Sequence, residues 1–161
     1  MLERCQNAQE RFNGVHKLID NWLNERSELV KAYQAVKAEL AASRPDGKTQ
    51  SAFCEVLVDY VSAGHFEIYE QLNSEALAFA DARGLKLAAT IYPRIEAITQ
   101  HSLDFNDRCV GKKHRPNCEV LAAKFKDLGN LLNERFELED CLIEVLHNAH
   151  NEQKEVQAVR A

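Results

Sequence analysis

Proline and glycine are scarce in this chain, with three prolines and six glycines in 161 residues. So few turn formers argue against many short strands and predict long helices joined by few loops. No run approaches the roughly 18 apolar residues of a membrane span, and the first residues lack a secretory signal's apolar core. Five cysteines, Cys5, Cys54, Cys109, Cys118 and Cys141, form no CxxC pair. Their odd number and scatter read as reduced thiols in a cytoplasmic protein, mostly small buried apolar residues. Glycine-rich phosphate loops, GxSxG elbows and HExxH pairs are missing as well. No catalysis, resident metal or cofactor is therefore expected. Net positive charge is missing too: the formal charge is −5. That balance disfavours nonspecific binding to nucleic acid and suits a basic protein partner.

What the chain does have is helical periodicity along nearly its whole length. A single all-α domain over residues 1–161 is expected, an antiparallel up-and-down bundle of four long helices with a short N-terminal helix. Leu2–Phe12 reads as that short helix, with Gly14 as its break. Val15, Leu18, Ile19, Trp22, Leu29, Tyr33 and Val36 then form one stripe. Ser43–Lys48 reads as a loop on its proline and Asp-Gly chemistry, and Thr49 or Ser51 as the next cap. The central helix is expected to run to Arg83, with Gly84 as its stop. A third helix from about Leu85 carries Leu87, Ala88, Ile91, Ile95, Ile98, Ser102 and Cys109 inward, with Pro93 inside it. Gly111–Pro116 is the next break and holds the densest basic cluster, read as a solvated loop. Asn117 caps a last helix whose stripe is Leu121, Phe125, Leu128, Leu132, Phe136, Glu139, Ile143 and Leu146. The polar tail Asn151–Ala161 is expected to fray.

The central helix carries an unusual pattern. Phe53, Leu57, Tyr60, Val61, Gly64 and Ile68 gather on one side as a core stripe. Glu55, Asp59, Ser62, Phe66, Tyr69 and Asn73 gather on the other. Two aromatic rings beside carboxylates and a hydroxyl fit either a helix packed on both sides or a partner-binding face. Gly64 lies on the core side, where its missing side chain lets a neighbour approach closely.

The segment LVDYVSAGHFEIYEQL resembles the signature of the Rsd/AlgQ family, regulators of sigma D that bind the primary sigma factor of bacterial RNA polymerase. The runs GVHKLIDNWLNERSELVKAY and LGNLLNERFELEDCLIEVL are similar to that family too, so the likeness covers nearly the whole chain and lies nearest the AlgQ branch. The resemblance implies an all-helical anti-sigma factor in a 1:1 complex with the primary sigma factor. It implies contact mainly with sigma region 4, with further contacts to region 2, and no direct nucleic-acid or membrane partner. The AlgQ branch implies global regulation, alginate production included. Asp59, Ser62 and Phe66 match the family's sigma-facing segment, and Glu55 and Tyr69 extend the same face.

Two further features are not explained by that resemblance. Arg26 and Glu139 each occupy a position where an apolar residue belongs, and each has the sign the other needs. A buried or half-buried Arg26–Glu139 ion pair is expected, bridged bidentately by the guanidinium. Glu144 and His147 form a Glu-x-x-His pair of the kind that binds metal in carboxylate bundles, the basis of an alternative reading as a metal-binding protein or enzyme. A surface histidine near a fraying end is the plainer reading of His147. His65 reads as an ordinary boundary histidine. A scaffold that self-associates through the aromatic face is the third reading.

Overall fold

The computed structural model describes the backbone of residues 2–110, 118–148 and 159–160, and the side chains of residues 14–108, 119–148 and 159–160. Every regular element among them is helical. The helices are α1 (Leu2–Ala41), α2 (Gly47–Ala63), α3 (Tyr69–Ala78), α4 (Ala82–Val110) and α5 (Cys118–Ile143). A π-helical turn, Gly64–Ile68, joins α2 to α3 without a break, and a second, Glu144–Asn148, extends α5. The result is four long rods in an antiparallel up-and-down bundle. The first rod packs on α2 and α3, while α4 packs on α2, α3 and α5.

The apolar stripes meet as periodicity requires. Val15, Ile19, Trp22, Leu29 and Val36 of α1 are buried with Phe53, Leu57, Tyr60 and Val61 of α2. Ile95 of α4 and Phe125, Leu128 and Leu132 of α5 join the same contiguous core. Phe53, Tyr33, Phe105 and Phe125 form an aromatic cluster at one end, with Tyr33 stacked on Phe125 at 4.2 Å.

Several expected boundaries move. Gly14 does not end a short helix, because α1 is continuous from Leu2 to Ala41. One interior glycine costs about 1 kcal/mol, too little to break a rod this long that is packed along one face. The cap of α2 is Asp46, not Thr49 or Ser51; its carboxylate accepts from the Lys48 backbone N–H at 2.9 Å. The central rod stops at Ala78, not at Arg83. Ala80 takes a left-handed conformation (φ 53°), and the Asp81 N–H closes the helix end on Ala76 O at 3.0 Å. Asp81 then caps α4 through the Gly84 N–H, 2.8 Å away. Gly84 is thus no stop signal but a close-approach site, since a Cβ there would meet Asp81 and Leu146 within 2.9 Å. The Gly111–Pro116 loop, the Asn117 cap and all but two residues of the Asn151–Ala161 tail lie outside the described residues.

The π turn has the largest consequence. It adds one residue to the rod, so every side chain after it is rotated by about 100° relative to an unbroken α-helix. Tyr69, expected outside, turns inward and is buried, as are Leu72 and Ala76. Phe66, within the turn, stays outside.

Gly64 opens the turn and is buried. A Cβ on it would lie 3.0 Å from both Arg135 Nη2 and Trp22 Cζ2 and 3.1 Å from the Tyr69 hydroxyl. Gly64→Ala should therefore destabilise the protein by about 1–3 kcal/mol in urea unfolding. A gain approaching the ~1 kcal/mol that alanine's helix propensity offers would contradict this packing role.

Candidate functional site

A buried carboxylate anchors the middle of the bundle. Glu139 on α5 accepts from the Tyr60 hydroxyl (2.5 Å), the Tyr69 hydroxyl (2.9 Å), Arg135 Nε (2.6 Å) and Arg26 Nη2 (3.1 Å). Arg135 and Glu139 are wholly buried, and the Arg26 side chain is nearly so. Arg135 also donates to Thr99, to the Tyr69 hydroxyl and to Val61 O. The Trp22 indole donates to Tyr60 O. The two carbonyls just ahead of the π turn thus each receive a side-chain donor, which offsets the disturbed helical ladder. Among the described residues no buried side-chain nitrogen or oxygen is left without a partner.

Electrostatics follow from this geometry. Burial, reinforced by the Glu139 charge, pushes the Tyr60 and Tyr69 phenols far above their ordinary value, so both remain donors. Burial alone would lower the Arg26 pKa; its Tyr60, Asp140 and Glu139 contacts outweigh that and keep it cationic. Its guanidinium also lies 4.8 Å from the Phe136 ring centre and 5.7 Å from that of Trp22.

Directly outside this network lies an acidic face with one exposed ring. Phe66 is 70% exposed, with the His65 imidazole edge-on to it at 5.0 Å. Asp59 and Glu55 are exposed on the preceding turns, and Ser62 is half-buried between Asp59 and Phe66. Glu25 of α1 faces the same side: partial burial and then the charges of Glu67 and Asp59 raise its pKa. Three carboxylates from two rods therefore share one field beside an unburied phenyl ring. A cationic, partly apolar surface is what such a face would complement.

A groove of about 680 Å³ lies elsewhere, between α1 and α5, with Tyr33, Lys37, Phe125, Lys126 and Phe136 in its wall. It is lined without carboxylate, imidazole or thiol and so offers no acid–base pair. No described helix is long and apolar enough to cross a membrane.

Comparison with known proteins shows what the chain is similar to. Residues 1–147 match the family model described as regulator of RNA polymerase sigma(70) subunit, Rsd/AlgQ. A protein named regulator of sigma D from Yersinia pseudotuberculosis is 36% identical over 149 residues, covering 89% of this chain and 88% of its own length. Its namesake from Salmonella typhi is 36% identical over 155 residues, covering 92% and 93%. The chain belongs to the Rsd/AlgQ family.

Within this Rsd/AlgQ chain, Glu55, Asp59, Ser62 and Phe66 share the outer face of the central rod. Tyr69 does not, because the π turn carries it into the Glu139 network. Arg26 and Glu139 are brought together, but not bidentately. The guanidinium fork divides, Nη2 to Glu139 and Nη1 to Asp140 at 2.6 Å. Sequence reasoning missed Arg135, which sits at the edge of the α5 stripe. Its position four residues before the misfit Glu139 was the available signal. The Glu-x-x-His pair is split as well. Glu144 is exposed, while His147 is not a surface residue but buried against Glu75, carried inward by the second π turn. His65 is exposed on the acidic face rather than at a core boundary.

The unequal sharing of Glu139 predicts unequal mutational costs. Glu139→Ala strands the buried Arg135 guanidinium and two tyrosine hydroxyls, while Arg26 keeps Asp140, and should cost about 3–5 kcal/mol in urea unfolding. Arg26→Ala should cost clearly less, because Arg135 still neutralises Glu139. Equal losses for the two variants would contradict this division.

Proposed function

We propose that this protein is an anti-sigma factor that holds the primary sigma factor away from core RNA polymerase and promoter DNA. The reading rests on family membership together with one observation: an exposed Phe66 among Asp59, Glu67 and Glu25. Sigma region 4 is the main target in this proposal, with further contact to region 2. A promoter-binding helix-turn-helix must present cations to the phosphate backbone. The acidic face supplies carboxylates for those arginines and lysines, and Phe66 supplies the apolar anchor. Binding a cation there also relieves the mutual repulsion of Glu25, Glu67 and Asp59. One molecule covers one sigma in a 1:1 complex, and no direct contact with nucleic acid is required. Global effects such as those of the AlgQ branch, alginate production included, follow from altered sigma availability.

Titration calorimetry with isolated sigma region 4 tests this. Phe66→Ala should weaken binding by more than about 1 kcal/mol while leaving the melting temperature unchanged, because the ring is already in solvent. Raising salt should weaken the wild-type complex as the exposed charges are screened. Absence of binding at micromolar concentrations, or equal affinity of wild type and Phe66→Ala, would overturn the proposed surface.

A further inference from the structure

The groove of about 680 Å³ along the seam between α1 and α5 is lined by no residue of the acidic face. Its floor is aromatic and fixed. Tyr33 reaches across from α1, its ring stacked on Phe125 at 4.2 Å and its hydroxyl donating to Phe125 O at 3.2 Å. Gly129 makes that crossing possible, because the Tyr33 hydroxyl occupies the place a Cβ would take. Further along, Phe136 and the exposed Val30 continue the apolar wall.

The charges in this groove are all of one sign. Lys37 on α1 and Lys126 on α5 line it and no carboxylate does, in a chain whose formal charge is −5. Among the described residues neither lysine has an ion-pair partner. Arg26 meets Asp140, and Tyr33 meets Phe125, across the same two antiparallel helices. One turn beyond Tyr33, Lys37 is thereby brought level with Lys126, the neighbour of Phe125. From that level the floor continues toward Leu29 and Phe136 for about 12–15 Å, at a rise of 1.5 Å per residue. Two cations near one end and an apolar run beyond them separate a head position from a tail position.

We propose that this groove binds a medium-chain aliphatic carboxylate, one per chain, with its head between Lys37 and Lys126 and its chain along Tyr33 and Phe136. The volume lies within the range of about 300–1,000 Å³ typical of small-molecule sites, which are mostly apolar with a few polar groups that fix orientation. Burial of the chain supplies the drive, and the lysines set which end points where. A compact inorganic anion would leave the aromatic floor wet, and an uncharged chain would leave both lysines unused. The ligand would brace α1 against α5 beyond the point where Arg26 and Asp140 already join them. The site does not rest on the proposed sigma contact.

The test is calorimetric titration of the full chain with sodium dodecanoate below its micellar concentration, paired with nuclear magnetic resonance of the backbone amides. Wild type should take up one dodecanoate per chain, with resonance shifts concentrated in residues 29–41 and 122–136. The double variant Lys37→Gln/Lys126→Gln should bind at least fivefold more weakly. Val30→Asp, which places a carboxylate in the groove, should do the same. Lys86→Gln, a control on α4, should bind like wild type. All four positions are exposed, so the core is untouched in each variant. No saturable one-to-one uptake, unchanged affinity in either groove variant, or shifts centred on the acidic face instead would overturn the proposal.

Discussion

The arrangement of this bundle depends on one carboxylate, Glu139, buried where an apolar residue would ordinarily sit. Burying an isolated charge in a protein core is prohibitive, so the surrounding helices must each bring a donor to it. Tyr60 comes from α2, Tyr69 from α3, Arg26 from α1 and Arg135 from α5 itself. Three of the four rods are thereby fixed in register about a single group. Arg135 extends the link to the fourth rod through Thr99 on α4. Two cations against Glu139 alone would leave excess charge; Asp140 at the rim takes the other half of the Arg26 fork and balances it.

This requirement explains why the central rod carries a π turn. Tyr60 and Tyr69 are nine residues apart, which is half a turn out of phase on a regular α-helix. Both must nevertheless point at Glu139. One additional residue between them removes most of that phase difference, and Gly64 provides the room for Arg135, Trp22 and the Tyr69 hydroxyl to close around it. The same extra residue leaves Phe66 on the outside, in line with Asp59 and Ser62. Core chemistry and surface presentation are therefore two results of one local irregularity.

The periodic parts of this structure were legible in the sequence. Stripes on α1, α2, α4 and α5 follow the 3.6-residue repeat, and Arg26 and Glu139 stood out because they interrupt two of those stripes. What periodicity conceals is a change of phase. Reading straight through residues 64–68 assigns Tyr69 to the surface, although Tyr69, Leu72 and Ala76 make a coherent stripe of their own about 100° away. His147 was misread on different grounds, its place near an expected fraying end, whereas the second π turn holds it buried against Glu75. The end of the central rod was misread because Gly84 serves close packing instead of termination: it lies against Asp81 and Leu146, and the chain turns at Ala80 instead.

If one extra residue sets both faces of the central rod, deleting it should separate them. Removing His65 leaves an uninterrupted α-helix in which Tyr69, Leu72 and Ala76 still face the core, while Phe66 rotates away from Asp59 and Ser62. The decisive measurement compares wild type and the His65 deletion for thermal unfolding and for binding to sigma region 4 in parallel. The expected result is a cooperative transition with affinity reduced at least tenfold. Loss of the folded state, or undiminished binding, would contradict the claim that the π turn couples the buried network to the recognition face.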